Sequence, residues 1–311
     1  IMAQQTRIET LIPYFERFIE RFPTIESLAH ASEDEVLSLW SGLGYYRRAK
    51  LLHECAKILA RDHGGEMPRD AAARLALPGI GRYTAGAIGS IAFDLEEPIV
   101  DGNVTRVLSR LRGWEELIGS AALEKKLWTE AEALVRGPRP GDLNQAMMEL
   151  GATVCVPRSP ACSECPIGFA CTAQKNGNPE AFPSPRKRKR PRKEKLFLLL
   201  AFAEGDRLLL QKSEGSLFSG LFMPPYATDT GDPVGDRDAA LSAFGVRSEA
   251  SPRKLGDLKH VLSHIIFEVG VYRIDDAHLS ISAKEHARPI DELSSIGIGA
   301  LTKKALSFID S

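Results

Sequence analysis

Apolar residues in the first half of the chain recur at helical intervals. Ile8, Leu11, Ile12, Phe15, Phe18 and Ile19 fall three or four positions apart and predict a helix over 8–21. The same spacing predicts helices from Glu33 to Trp40, Arg47 to Ala60, Ala71 to Leu77, Tyr83 to Phe93, Val104 to Arg112, Leu123 to Val135 and Leu143 to Val154. The joints between them are short and marked by Gly or Pro, as in an all-helical domain. After position 195 the period changes. Leu196 to Ala203 and Arg207 to Gln211 read as strands joined by a Gly205-Asp206 hairpin turn, and Ser263 to Ile274 is β-rich. Asp238 to Phe244 and Ala300 to Phe308 return to helical spacing. There is no internal repeat. The expected fold class is multidomain, an all-α part followed by an α+β part of about 110 residues. Asn176 to Lys195, rich in Pro, Asn, Lys and Arg, reads as a basic linker, so the expected divisions are 1–175, 176–195 and 196–311.

Composition changes this picture little, and charge changes it more. The 311 residues are 43% hydrophobic and 26% charged, as in globular chains. No apolar run approaches the roughly 20 residues of a membrane span. A net charge of −1 argues against a polyanionic partner, but the average conceals an asymmetry. Arg186 to Lys195 holds eight Lys/Arg and one Glu, a local +7, so the remainder carries −8 (−1 minus 7). Such a run is usually solvated, and it also raises affinity for a polyanion without reading sequence.

Four of the five cysteines, Cys155, Cys162, Cys165 and Cys171, form a Cys-x6-Cys-x2-Cys-x5-Cys run of 17 residues. Four thiolates so close can hold one soft metal centre, an iron–sulfur cluster or zinc. One tight pair, two wider gaps and no nearby histidine fit the usual zinc pairings less well. Disulfides fit worse, because Cys55 lies alone in a helical stretch and no signal peptide is expected.

Two other runs carry candidate chemistry. Leu77-Pro78-Gly79-Ile80-Gly81-Arg82-Tyr83 joins two helices through a glycine hairpin. Its backbone N–H groups, with the following helix start, suit a phosphate; the plainer reading is a helix–helix turn. In Ile99-Val100-Asp101-Gly102-Asn103-Val104-Thr105-Arg106-Val107, Asp101 precedes a helix. It is at least an N-cap, worth about 1 kcal/mol. It is also placed to be a fixed carboxylate beside a developing cation.

The cysteine spacing resembles the [4Fe-4S] loop of the endonuclease III superfamily, and residues 77–87 resemble its helix–hairpin–helix clamp. Three features resemble that superfamily's adenine DNA glycosylase (MutY) branch. Met2-Ala3-Gln4-Gln5-Thr6 is similar to its Met-Leu-Gln-Gln-Thr segment. Gly42-Leu43-Gly44-Tyr45-Tyr46 and Asn144-Gln145-Ala146-Met147-Met148 are similar to its helices. Position 83 is Tyr where lyase members place a Schiff-base Lys. Leu217 to Pro225 resembles the Gly-Leu-Trp-x-Phe-Pro run of MutT-like (Nudix-like) modules. Asp236 to Val246 lacks the glutamate-rich metal box of the working hydrolases, so a recognition module is implied. Leu262-Ser263-His264 resembles the family's Phe-Ser-His loop that senses 8-oxoguanine.

The resemblance implies a helix–hairpin–helix glycosylase domain with a [4Fe-4S] cluster, followed by a MutT-like α+β domain. It implies a monofunctional enzyme that removes adenine opposite 8-oxoguanine or guanine in double-stranded DNA, acting as a monomer in a bacterial cytoplasm, at the nucleoid. Asp101 would stabilise the cationic sugar, with Tyr83 and Asn103 orienting the site. Gly79 and Gly81 would grip phosphate. Gln5 and Tyr45 would wedge into the base stack, and Thr6, Leu43 and Gln145 would contact DNA. The cluster, on Cys155, Cys162, Cys165 and Cys171, would shape a loop whose basic groups, such as Arg158, meet phosphate. The family's general acid is a glutamate directly before the Ile1-Met2 segment, so this chain is expected to be an N-terminal truncation with poor excision. The rivals are an endonuclease III-like glycosylase/lyase, a non-catalytic iron–sulfur DNA-binding protein, and a fusion with nucleotide pyrophosphatase activity.

Overall fold

The computed structural model describes residues 1–185, 190–203, 206–215, 217–276, 279 and 285–309, the Ser294 side chain excepted. Residues 186–189 of the basic run and Gly205 of the expected hairpin turn lie outside the described residues. Contacts divide the chain into two compact units, Ile1–Gly65 with Lys189–Ser311, and Glu66–Arg188.

The first unit opens with α1 (Ile8–Arg21), α2 (Ile25–His30), α3 (Glu33–Leu39) and α4 (Arg47–Asp62). Thr24 and Ser32 start α2 and α3 by accepting the N–H groups of Ser27 and Glu35, both at 3.1 Å. Phe18, Phe22, Leu28, Leu37 and Trp40 form the core of these helices. Phe18 meets Phe22 and Trp40 edge-on, with centroids 5.0 and 6.1 Å away. The apolar residues of α1 divide. Phe18 is 4% exposed, whereas Ile8, Ile12, Phe15 and Ile19 are 46–58% exposed.

The second unit holds α5 (Ala71–Leu75), α6 (Arg82–Ala87), α7 (Gly102–Arg112), α8 (Ala121–Leu134), α9 (Pro140–Thr153) and α10 (Thr172–Lys175). Ile99, Val104, Leu108, Leu123, Leu127 and Ala131 make its core. The helix expected over 83–93 keeps α-helical bonding only through Ala87 and widens to a π-helical turn at Ile88–Ala92. Asn144 of α9 donates to Ser90 Oγ at 2.8 Å and to the Glu97 carbonyl at 2.9 Å, which fastens that turn. A Cβ at Gly86 would lie 2.2 Å from the Pro98 carbonyl oxygen, so only glycine allows this approach. Arg74 is fully buried. It pairs with Glu97 and donates to the carbonyls of Pro68 at 3.0 Å and Arg69 at 2.7 Å.

The expected linker is built into both units. Phe182 is buried, and Ser184 bridges to Leu117 and donates to the Glu115 carbonyl at 2.7 Å. At the other end β1 (Arg192–Ala203) begins four residues before the apolar run. Arg192 to Lys195 pair with Ile265 to Glu268; the backbone joins the sheet while Arg192, Lys193 and Lys195 keep their side chains exposed, so a charged run can still be strand.

In the first unit the chain continues through β2 (Arg207–Leu209), β3 (Gln211–Lys212), β4 (Phe222–Met223), β5 (Tyr226–Thr228), α11 (Pro233–Ser242), β6 (Arg253–Val261), β7 (Ile265–Asp275), β8 (Ala287–Pro289) and α12 (Ala300–Leu306). The sheet runs β6-β7-β1-β2-β8, with β5 also on β1 and β3 paired to β4. β1 and β7 are parallel, and parallel strands are usually covered on both faces. Leu196, Leu198 and Leu200 enter a core with Phe267, Leu301 and Ala305. Phe197, Leu199 and Ala201 enter a second core with Leu241, Phe244 and Ile274. This two-sided burial is why residues 196–203 are an unbroken apolar run. The helices α1–α4 belong with this sheet: Ser41 Oγ donates to the Ile298 carbonyl at 2.6 Å, and Lys212 Nζ reaches Asp34 at 2.6 Å and Glu33 at 3.3 Å. Among the described residues no helix is long and apolar enough to cross a membrane.

Arg74→Ala leaves the half-buried Glu97 carboxylate without its partner. It is expected to lower unfolding stability by about 3 kcal/mol in urea titration, the scale for breaking a buried pair. A loss below about 1 kcal/mol, the exposed-pair scale, would contradict this reading.

Candidate active site

The Leu77–Gly81 segment is a tight turn in which Ile80 N–H donates to the Leu77 carbonyl at 3.2 Å. Gly79 has φ 76°, a left-handed value that glycine adopts without strain. Gly81 caps α6, and a Cβ there would meet nothing within 4 Å. Both glycines are exposed, so the turn's backbone is open to a ligand.

Asp101 caps α7, its Oδ1 accepting the Val104 N–H at 2.7 Å. That bond fixes the half-buried carboxylate. Tyr83, in the first turn of α6, packs against the Ile99–Val104–Leu108 core and donates to Met148 Sδ at 3.4 Å. Burial pushes its phenol up, and the negative charge of Asp101 adds to the shift. Tyr83 and Asp101 therefore lie within electrostatic reach, and Tyr83 is a neutral phenol at physiological pH.

Asn103 Oδ1 accepts from Arg106 Nη2 at 2.8 Å. Arg106 also donates to the carbonyls of Gly151 at 2.6 Å and Cys155 at 2.7 Å. A Cβ on Gly151 would fall 2.6 Å from Asn103 Cβ, so the α9 backbone rests directly on Asn103. One turn on, buried Arg110 donates to Cys155 Sγ at 3.4 Å and to the carbonyls of Val156 at 2.8 Å and Pro157 at 3.0 Å. Its own carbonyl accepts from Cys171 Sγ at 3.4 Å. Neither arginine stood out in the sequence. The signal was present: Asn103, Arg106 and Arg110 share one helical face by spacing.

Cys155, Cys162, Cys165 and Cys171 are all half-buried with free thiols. The Cys162 thiol is pushed up, by burial first and then by the charges of the other three, so the four feel one another. Among the described residues no three His, Cys, Asp or Glu side chains already converge as a metal cage. The donor set nonetheless fits iron and sulfur: four neighbouring, partly desolvated thiols ionise together only around a cationic centre. Buried Cys55 in α4 stands apart, its thiol pushed up to about 11 by burial.

The remaining expected residues lie elsewhere in the two units. Gln5 and Tyr45 are exposed and both have positive φ, 56° and 50°. Thr6 is half-buried, its Oγ1 donating to the Gln4 carbonyl at 3.3 Å. Gln145 is exposed and donates to the Gly141 carbonyl at 3.3 Å. Leu43, expected to touch DNA, is instead 7% exposed in the core with Met2 and Trp40. Its apolar side chain gains more from that burial than from solvent. Ser263 and His264 sit exposed between β6 and β7, their side chains 3.2 Å apart, while Leu262 is half-buried against the sheet core. A cleft of about 660 Å³ is lined by Tyr45, Phe218, His260, Leu262 and Ser263.

Residues 1–133 match the HhH-GPD superfamily of base excision DNA repair proteins, and residues 155–171 match the iron–sulfur binding domain of endonuclease III. The adenine DNA glycosylase of Homo sapiens is 36% identical over 322 positions, covering 88% of this chain and 59% of that protein. That of Buchnera aphidicola subsp. Baizongia pistaciae is 34% identical, covering 85% of this chain and 74% of that protein. The solved structure of a thermostable thymine-DNA glycosylase aligns with TM-score 0.51 and 29% identity, covering 56% of this chain and 81% of that one. The chain thus spans 59–62% of the length of its human, rat and mouse relatives.

Purified without oxygen, the chain is expected to contain about four iron atoms per molecule, as a four-thiolate cluster requires. Cys162→Ser should lose that iron. One zinc per chain and no iron would sink the assignment.

Proposed function

This chain belongs to the adenine DNA glycosylase family, and we propose that it hydrolyses the N-glycosidic bond of adenine mispaired with 8-oxoguanine, or with guanine, in duplex DNA. The observation that carries the reading is the fixed Asp101 carboxylate at the start of α7, with the Tyr83 phenol inside its field. Cleaving an N-glycosidic bond builds positive charge on the sugar. A carboxylate already held in place stabilises that charge without reorganising. Position 83 offers a phenol and not an amine, so no Schiff base forms there, and the product is an abasic site with the strand intact. Asp101 cannot also protonate the departing adenine while it remains ionised, so a separate acid must do so.

The other residues take supporting roles in this proposal. The open backbone at Gly79 and Gly81 grips a phosphate and sets position, not sequence. Gln5 and Tyr45 enter the stack as adenine leaves it, a step that costs a few kcal/mol and less for a mispair. Thr6 and Gln145 contact the strand. Asn103, pinned by Arg106, keeps the sugar aligned with Asp101. The sheet flanked by α11 and α12, with its Leu217–Pro225 run, serves as a MutT-like recognition module. There Ser263 and His264 read 8-oxoguanine, which differs from guanine by an oxygen at position 8 and a proton on N7.

Two measurements on the full gene product test this. Asp101→Asn keeps a residue that caps helices as well as Asp, so α7 should still start normally. Single-turnover excision should nevertheless fall by about a thousandfold, the scale of removing one preorganised charge contact, with duplex affinity kept. Excision within a few-fold of wild type would refute the role of Asp101. Ser263→Ala combined with His264→Ala should narrow the preference for adenine opposite 8-oxoguanine over adenine opposite guanine by about tenfold, one lost buried contact. A lowered melting temperature with an unchanged ratio would show that the pair only supports the β6–β7 turn.

A further inference from the structure

Residues 1–6 form neither helix nor strand; two turn bonds, Gln4 N–H to the Ile1 carbonyl at 3.2 Å and Thr6 N–H to the Ala3 carbonyl at 3.3 Å, leave carbonyl acceptor capacity open to other donors. One side chain supplies several. Arg48 Nη1 donates to the carbonyls of Ile1 at 3.2 Å, Met2 at 3.0 Å and Gln4. Arg48 Nη2 donates to Thr6 Oγ1 and to the Gly44 carbonyl, both at 3.2 Å. The guanidinium also lies 5.4 Å from the ring centroids of Trp40 and of Tyr45. Gln4 and Thr6 flank Gln5, and Gly44 precedes Tyr45. A single planar group therefore grips the chain on both sides of Gln5 and at the base of Tyr45.

Both Gln5 and Tyr45 are held in a left-handed backbone conformation, as are Asp94, Ser159, Asp206 and Phe218 among the described residues, and side-chain-bearing residues adopt it where their surroundings impose it. We infer that Arg48 is a positioning residue: its guanidinium locks Gln5 and Tyr45 together, in advance, in the conformation that enters the base stack. The inference rests on the reading of Gln5 and Tyr45 as the wedge. Preorganisation matters at such a step, because a wedge that must first be ordered loses part of its binding to that ordering. Lysine cannot substitute. Its ammonium is a point charge with no plane to lie over Tyr45 and Trp40 and no fork to span two segments.

The test compares Arg48→Lys, Arg48→Gln, Tyr45→Ala and Gln5→Ala in the full gene product. Amide hydrogen exchange reads the clamp without DNA. Exchange over residues 1–6 and 44–46 should rise about tenfold or more in both Arg48 variants, as local opening becomes easier, with α7 and β1 unchanged. Base extrusion is read from the fluorescence of 2-aminopurine in place of the target adenine. The Arg48 variants should lose as much of that signal as Tyr45→Ala, and Arg48→Lys with Tyr45→Ala should lose no more than either alone, since the two act as one unit. A folded Arg48→Lys with unchanged exchange overturns the inference. So does a full fluorescence response in Arg48→Lys when Tyr45→Ala has lost its own, and so does failure of Arg48→Lys to fold, which would assign the group to the fold and not the wedge. A full response in all four variants with raised exchange refutes instead the wedge reading beneath it.

Discussion

The hydrogen bond from Val104 N–H to Asp101 Oδ1 does two things with one carboxylate. It satisfies a backbone donor that an open helix start would leave bare, and it removes the rotational freedom of the carboxylate itself. α7 then carries that fixed origin along its length. Asn103, Arg106 and Arg110 descend one face of the helix, and their bonds reach α9 at Gly151 and the cysteine loop at Cys155. The cysteine loop and the carboxylate are thus referenced to the same helix. A group that sits on regular secondary structure, backed by packed glycine, holds its geometry better than one on a free loop.

Much of this could be read before any coordinates. Helical spacing locates α4, α7, α8 and α9, because each keeps one face in a core; it locates α1 as well, although most of that helix's apolar positions are exposed. The unbroken run at Leu196–Ala203 announced a strand covered on both sides. Asp101, the glycine hairpin and the cysteines stood out because their chemistry demands particular residue types. What could not be read was long-range. Nothing local tells Ser41 that its partner is the carbonyl of Ile298, so local spacing alone groups α1–α4 with the helices that follow them in the chain. The resemblance of the Gly42–Tyr46 run implies a DNA contact at Leu43, whereas its side chain is buried with Met2 and Trp40. The π-helical turn at Ile88–Ala92 depends on Asn144, more than fifty residues away.

Backbone conformation was the other hidden quantity. Gly79 advertises its left-handed φ through its identity; Gln5 and Tyr45 do not. Their conformation is imposed by the guanidinium of Arg48, whose place in the sequence, three residues beyond Tyr45, looks like an ordinary first-turn helix position. Strain at non-glycine residues marks sites where tertiary structure has overruled local preference.

The burial of Cys55 gives the molecule an internal gauge. With its thiol pushed up to about 11, only about one in ten thousand such groups is ionised at pH 7, and thiolate is the form that alkylating reagents attack. The four remaining thiols sit in a half-buried loop, and any that are not bound to metal present themselves to such a reagent first. Counting rapidly alkylated cysteines by mass therefore gives the fraction of chains that carry an intact cluster, molecule by molecule, without colour or magnetism.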